Sequence, residues 1–113
     1  AAENLLARQV TPTAIFASND DMAAAVVSVA HRKGLDVPGD LSVVGFDDTS
    51  IAATVWPELT TIRQPIAAMA EIALDLVVRE IRRRKAGNEP KPVDHLVTHS
   101  LIKRQSAAPP RAE

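Results

Sequence analysis

The chain has 113 residues, enough for one modest hydrophobic core. Thirteen Lys and Arg against fourteen Asp and Glu leave a net charge of −1, short of the positive excess with which proteins grip nucleic acid by displacing counterions from phosphates. With no Cys, disulfide frameworks, thiolate catalysis and thiolate zinc sites are excluded, and no apolar run approaches the roughly 20 residues needed to cross a bilayer.

In chain order, residues 1–10 mix Glu3, Asn4 and Arg8 with alanines and leucines, which is not the layout of a secretory signal. They read as the end of a helix already under way, and the absence of an initiator Met implies a natural protein that extends upstream. Thr13-Ala-Ile-Phe-Ala17 is short, apolar and preceded by Pro12, as expected of a parallel strand buried on both faces. Ser18, Asn19 and Asp20 can each accept from the free N–H groups of a helix start, and Asp21 adds charge where the dipole favours it. A helix is predicted from Asp20 to Lys33, stopped by Gly34. Its residues Met22, Ala25, Val26 and Val29 form one apolar face, assigned to the sheet. Ala23, Ala24 and Val27 form a second, which predicts burial on both sides and hence a twofold contact with another copy.

After a turn at Pro38-Gly39, Leu41-Ser-Val-Val-Gly-Phe46 is a second buried strand, completing a strand–helix–strand unit. Asp47 to Pro57 reads as a loop with one helical turn, and Leu59 to Gln64 as an extended segment. From Ile66 to Lys85 apolar residues recur at helical spacing opposite Glu71, Asp75, Arg79 and Arg82, the strongest periodic signal in the chain. Arg82-Arg-Arg-Lys85 is a solvated helix end that offsets the dipole. Gly87 to Pro92 breaks the helix, Asp94 to Lys103 alternates as a last strand, and the tail from Ala107 is expected to be disordered. No segment repeats.

Asn19 and Asp47 each follow the carboxyl end of a predicted parallel strand, where ligands bind in open sheets. An amide that donates and accepts, and a carboxylate that accepts two hydroxyl hydrogens, suit a polyhydroxylated ligand. Gln64 offers a second amide. On the residues alone Asn19 can cap the helix or reach a ligand, while Asp20 reads as a cap. Asp47 and Asp48 also fit a plain loop pair, and consecutive acids suggest metal or phosphoryl chemistry. No nucleophile elbow, P-loop or metal cluster supports an enzyme, and His31, His95 and His99 lack ligand spacing; no catalytic residue, metal or cofactor is expected. Trp56 beside Pro57 fits either a cleft cover or a subunit contact.

Four blocks in order, Pro12 to Asp20, Gly34 to Asp48, Pro57 to Pro65 and Leu101 to Arg104, closely resemble the LacI/GalR family of bacterial transcription regulators over about Leu5 to Ser106. The resemblance implies an α/β chain: a Rossmann-like parallel sheet with flanking helices, part of a type I periplasmic-binding-protein fold that clamps a ligand between two lobes. It implies that residues 1–64 belong to the C-terminal lobe, 65–93 form a crossover helix of the N-terminal lobe, and 94–106 return as a strand, with 107–113 as the tail. The helix 66–85 would then need another partner, either a second copy or a non-family packing on the remaining sheet. Asn19, Asp47 and Gln64 match positions that contact effector, a sugar or related polar metabolite. Family members dimerise through the first long helix and the loop matching Thr54 to Trp56, which adds His31, Val55 and Trp56 to Ala23, Ala24 and Val27 as the expected homodimer interface. Operator DNA would be bound only through an N-terminal headpiece outside this chain. The expected setting is cytoplasmic, with no membrane partner. The alternative is a periplasmic solute-binding protein of the same fold.

Overall fold

A computed structural model describes residues 1–111. The elements in chain order are α1 (Ala2–Leu5), β1 (Ala14–Phe16), α2 (Asp20–Arg32), β2 (Ser42–Val44), a 3-10 turn (Ser50–Ala53), β3 (Thr61–Arg63), α3 (Ile66–Lys85) and β4 (Ser100–Ile102). Each strand sits inside a predicted segment but is only three residues long. Two compact units result, one holding residues 1–63 with the chain from Ser100 onward, the other Gln64–His99.

In the first unit β1 and β2 run parallel, with Phe16 opposite Val44, and a parallel bridge joins Val44 to Thr60. The Gly45 and Asp47 N–H groups donate to the carbonyls of Thr60 and Ile62, both at 2.9 Å, so the chain beyond β2 continues alongside β3. β4 pairs antiparallel with β3. This is the expected α/β arrangement, a parallel sheet with a crossover helix.

Helix α2 starts where Asn19, in extended conformation, accepts from the Met22 N–H, and ends before Gly34, whose positive φ of 73° suits a residue without Cβ. Its buried stripe is Asp20, Ala23, Val26, Val27, Val29 and Ala30, packed with Leu41, Val43, Ala52 and Leu59 in one core. This corrects the predicted faces: Ala23 and Val27 are fully covered within the chain, while Met22 is half exposed. Ala23, Val26, Val27 and Ala30 follow the i, i+3, i+4, i+7 spacing of one helix face, a single stripe that the two predicted faces divide between them.

Strand β1 also departs from expectation. Phe16 is 65% exposed and, with Met22 and Ala25, lines an apolar groove of 410 Å³. The strand has a paired neighbour on one side only, so its outer edge is uncovered among the described residues. The tail is not free as far as Arg111. Ala108 exchanges hydrogen bonds with the Ser42 hydroxyl, and Arg111 reaches Asp36 and Asp40. Ala112 and Glu113, the end of the expected disordered tail, lie outside the described residues.

In the second unit, α3 spans the predicted helix and buries no residue. Ile66, Val77 and Ile81 are exposed. The i, i+4 pairs Asp75–Arg79 and Glu80–Arg84 support its polar side. The last predicted strand shortens to Ser100–Ile102, because only these residues find a ladder partner in β3.

Candidate functional site

The rim beyond the carboxyl ends of β1 and β2 carries Asn19 and Asp47. Each follows its strand by three residues, counted from the paired positions Phe16 and Val44, so parallel register brings both to the same edge. Asn19 Oδ1 accepts from the Met22 N–H at 2.8 Å, so the capping role is real. It engages the carbonyl oxygen of the amide and orients the rest of that group. Asp47 has φ of 101° and Asp48 of 55°, backbone settings that side chains other than Gly rarely adopt and that cost on the order of 1–3 kcal/mol each. Such strain persists where surrounding structure over-determines it.

Three anchors hold this loop. The Asp47 N–H is bound by the Ile62 carbonyl in β3. The Asp48 carboxylate, 6% exposed, receives Arg63 Nε at 2.6 Å and Arg104 Nη2 at 2.7 Å. Burial pushes the Asp48 carboxyl up, but the hydrogen bonds and positive charges of Arg104 and Arg63 outweigh it and hold the group below its usual value. Arg104 is itself fixed by the Leu59 carbonyl at 2.9 Å and lies 3.8 Å from Glu58. The third anchor is Asp20, whose Oδ2 accepts from the Thr49 N–H at 2.7 Å.

Asp20 is therefore not a cap. It is completely buried, and its Oδ1 accepts from the Thr61 hydroxyl at 2.6 Å. Its place on the stripe with Ala23 and Val27, at i, i+3 and i+7, was the legible sign that it points inward. The Asp48–Arg63–Arg104 cluster had no comparable local signal, since its members lie 15 and 56 residues apart.

Gln64 opens the second unit, where its carbonyl accepts from the Ile66 N–H. The structure thus brings Asn19 and Asp47 to one rim and leaves Gln64 in a separate unit. Of the expected interface residues, Ala23 and Val27 are withdrawn, being buried in the chain's own core. Ala24 is half-buried, His31 exposed, Trp56 72% exposed, and Val55 partly buried against the core. Among the described residues no cluster of His, Asp or Glu could hold a metal ion, and no helix is long and apolar enough to cross a membrane.

Residues 1–107 match the family described as a periplasmic binding protein-like domain. The chain is 41% identical over 104 residues to the HTH-type transcriptional regulator GalS of Salmonella typhimurium, an alignment that covers 92% of this chain and 29% of that protein. The chain therefore spans under a third of that relative's length. A structure described as a transcriptional regulator CelR–cellobiose complex superposes with a TM-score of 0.81 at 33% identity, covering 95% of this chain and 32% of that one. A lac repressor dimer bound to operator and the anti-inducer ONPF gives 0.77 at 32% identity, with 94% and 35% covered.

Proposed function

The chain belongs to the periplasmic-binding-protein-like family, in its LacI/GalR branch of bacterial regulators, and from this we propose that it is the ligand-sensing and dimerising part of a transcription regulator whose effector is a sugar or a related polyhydroxylated metabolite. The observation that carries the reading is the placement of Asn19 and Asp47 in register beyond the carboxyl ends of paired parallel strands, the rim at which such sheets bind ligands. An amide already oriented by its capping bond, and an acid held in a strained backbone setting, are preorganised for sugar hydroxyls. Gln64 is carried as a third candidate by the family resemblance alone. The reaction class is binding, not catalysis, and the relatives are regulators rather than enzymes. The same relatives favour this reading over a periplasmic transport component.

Dimerisation is assigned to the half-buried Ala24 and the exposed His31 and Trp56, with Val55 partly buried against the core beside them. Operator DNA is contacted by a headpiece, not by this chain, whose net charge is −1. The setting is the cytoplasm, where the operator is.

The test is Asp47→Ala in the intact regulator, titrated by calorimetry with cellobiose, lactose and D-galactose. Removing a charged hydrogen-bond partner is expected to weaken binding by roughly 1.5–3 kcal/mol while the protein stays folded. Unchanged affinity for the sugar that binds the parent protein removes Asp47 from the site.

A further inference from the structure

Asn19 and Asp47, the two candidate ligand residues on this rim, are each followed at once by an acid that is buried: Asp20 after Asn19 and Asp48 after Asp47. Asp20 is the more deeply placed and the only one of the two tied to all three parts of the rim. Through its backbone it opens α2, directly after Asn19. Through Oδ2 it takes the N–H of Thr49 at 2.7 Å and the Thr49 hydroxyl at 3.2 Å, two residues beyond Asp47. Through Oδ1 it takes the Thr61 hydroxyl at 2.6 Å, in the strand whose Ile62 carbonyl holds the Asp47 N–H. The space for this carboxylate is made by Gly45, where an added Cβ would lie 2.3 Å from Asp20 Oδ1.

We infer that Asp20 is a positioning residue of the effector site, a buried carboxylate that sets the spacing between Asn19 and Asp47 by tying the start of α2 to the loop after β2 and to β3. It touches no ligand and acts through its neighbours, and the inference rests on the reading of Asn19 and Asp47 as ligand residues. The chemistry fits the task. An ionised carboxylate only accepts, and each group that faces it, two hydroxyls and one backbone N–H across both oxygens, can donate. Charge-assisted bonds of this kind are shorter and stiffer than neutral ones, and a site must be held to about 0.5 Å to keep its affinity. A core filled only by apolar contacts would bury the same surface without fixing the loop's direction.

Asp20→Asn separates charge from geometry. The amide oxygen can still accept from the Thr49 N–H while the amide nitrogen donates to the Thr61 hydroxyl, so the connections survive. Asp20→Ala removes them, and Thr61→Val removes one while preserving shape. Leu41→Ala, a core truncation outside the rim, serves as a destabilised control. The experiment measures, in the intact regulator, calorimetric affinity for cellobiose, lactose and D-galactose, thermal midpoint, and amide hydrogen exchange at residues 47–49.

A positioning role requires that Asp20→Ala, still folded at the working temperature, lose about tenfold or more in sugar affinity, the scale of one lost charge-assisted hydrogen bond. Asp20→Asn should restore most of it, and Thr61→Val should fall between. Leu41→Ala should keep parental affinity despite its lower midpoint. If Asp20→Ala does not fold, Thr61→Val carries the same comparison. Exchange at residues 47–49 should accelerate in Asp20→Ala or Thr61→Val and not in Leu41→Ala, whether or not any sugar binds. An unchanged exchange rate in that loop, or an equal loss of affinity in Leu41→Ala, overturns the positioning role. If no sugar binds the parent protein while exchange responds as described, the choice of effector class fails and the role of Asp20 in fixing the loop stands.

Discussion

The acids at the sheet rim show how burial divides neighbouring residues between two roles. Asp48 carries one charge between two guanidinium groups and is nearly sealed from water, so it is held ionised to lower pH than a free carboxyl. A group whose native value is depressed adds stability above its unfolded value, near ~3.9, and loses that contribution as pH falls through the native value. Asp48→Asn is therefore expected to be less stable than the parent at pH 7, and the gap should narrow as pH drops below about 4. Urea unfolding at a series of pH values checks this, and a gap independent of pH would assign the loss to packing instead of charge. Asp20 and Asp48 also share a sequence signature that identifies neither by itself, an acid preceded by a polar residue at a strand end. Only for Asp20 does helical spacing disclose the inward direction.

At the scale of elements, α2 and α3 invert what amphipathicity implied about them. Helix α2, two-faced by its apolar pattern, is covered by its own chain on one continuous stripe, so substitutions there report on folding. Val27→Ala should lower unfolding free energy by about 2 kcal/mol through a cavity and leave self-association untouched. Trp56→Ala should do the reverse, weakening the dimer about tenfold or more if this exposed indole is an interface anchor, with little change in the midpoint. Sedimentation equilibrium and denaturant titration on both variants separate the two. A Val27→Ala protein of parental stability would return Val27 to the interface. Helix α3 has the cleaner periodicity and yet buries nothing within the described chain, because periodicity tells which face seeks cover without supplying the cover. Most helical stability in proteins comes from packing of an amphipathic face, so its stability in a larger assembly must come from what packs on its apolar face.

For the molecule as a whole, charge and coverage decide which functions these residues can perform unaided. With −1 overall, and with the cations of α3 partly paired to Asp75 and Glu80, the chain lacks the dense positive field that drives phosphate binding. It is expected to give no shift of operator DNA at low salt, where even non-specific binding is strongest. A retarded band in a gel-shift assay at 50 mM salt would contradict this. Sensing is likewise expected to need more than this chain, since Asn19 and Asp47 line one rim and a clamped ligand requires an opposing wall.

The order of elements, the helix limits at Asn19 and Gly34, the family and the two rim residues were all legible in the sequence. They depend on local chemistry: capping groups, a residue that tolerates positive φ, strand ends, and motifs that stand together in the chain. The tertiary structure alone decided three other things. It decided that Ala23 and Val27 belong to the core, because the β2 and Leu59 regions close over that side of α2. It decided that Phe16 stays exposed, because its side chain lies in the open groove it lines with Met22 and Ala25. And it decided that Asp20 and Asp48 organise the loop after β2, through Thr49, Thr61, Arg63 and Arg104. These partners lie 15 to 56 residues away, and a contact over such a separation leaves no periodicity or local motif to read. It exists only once the sheet has brought the strand ends together.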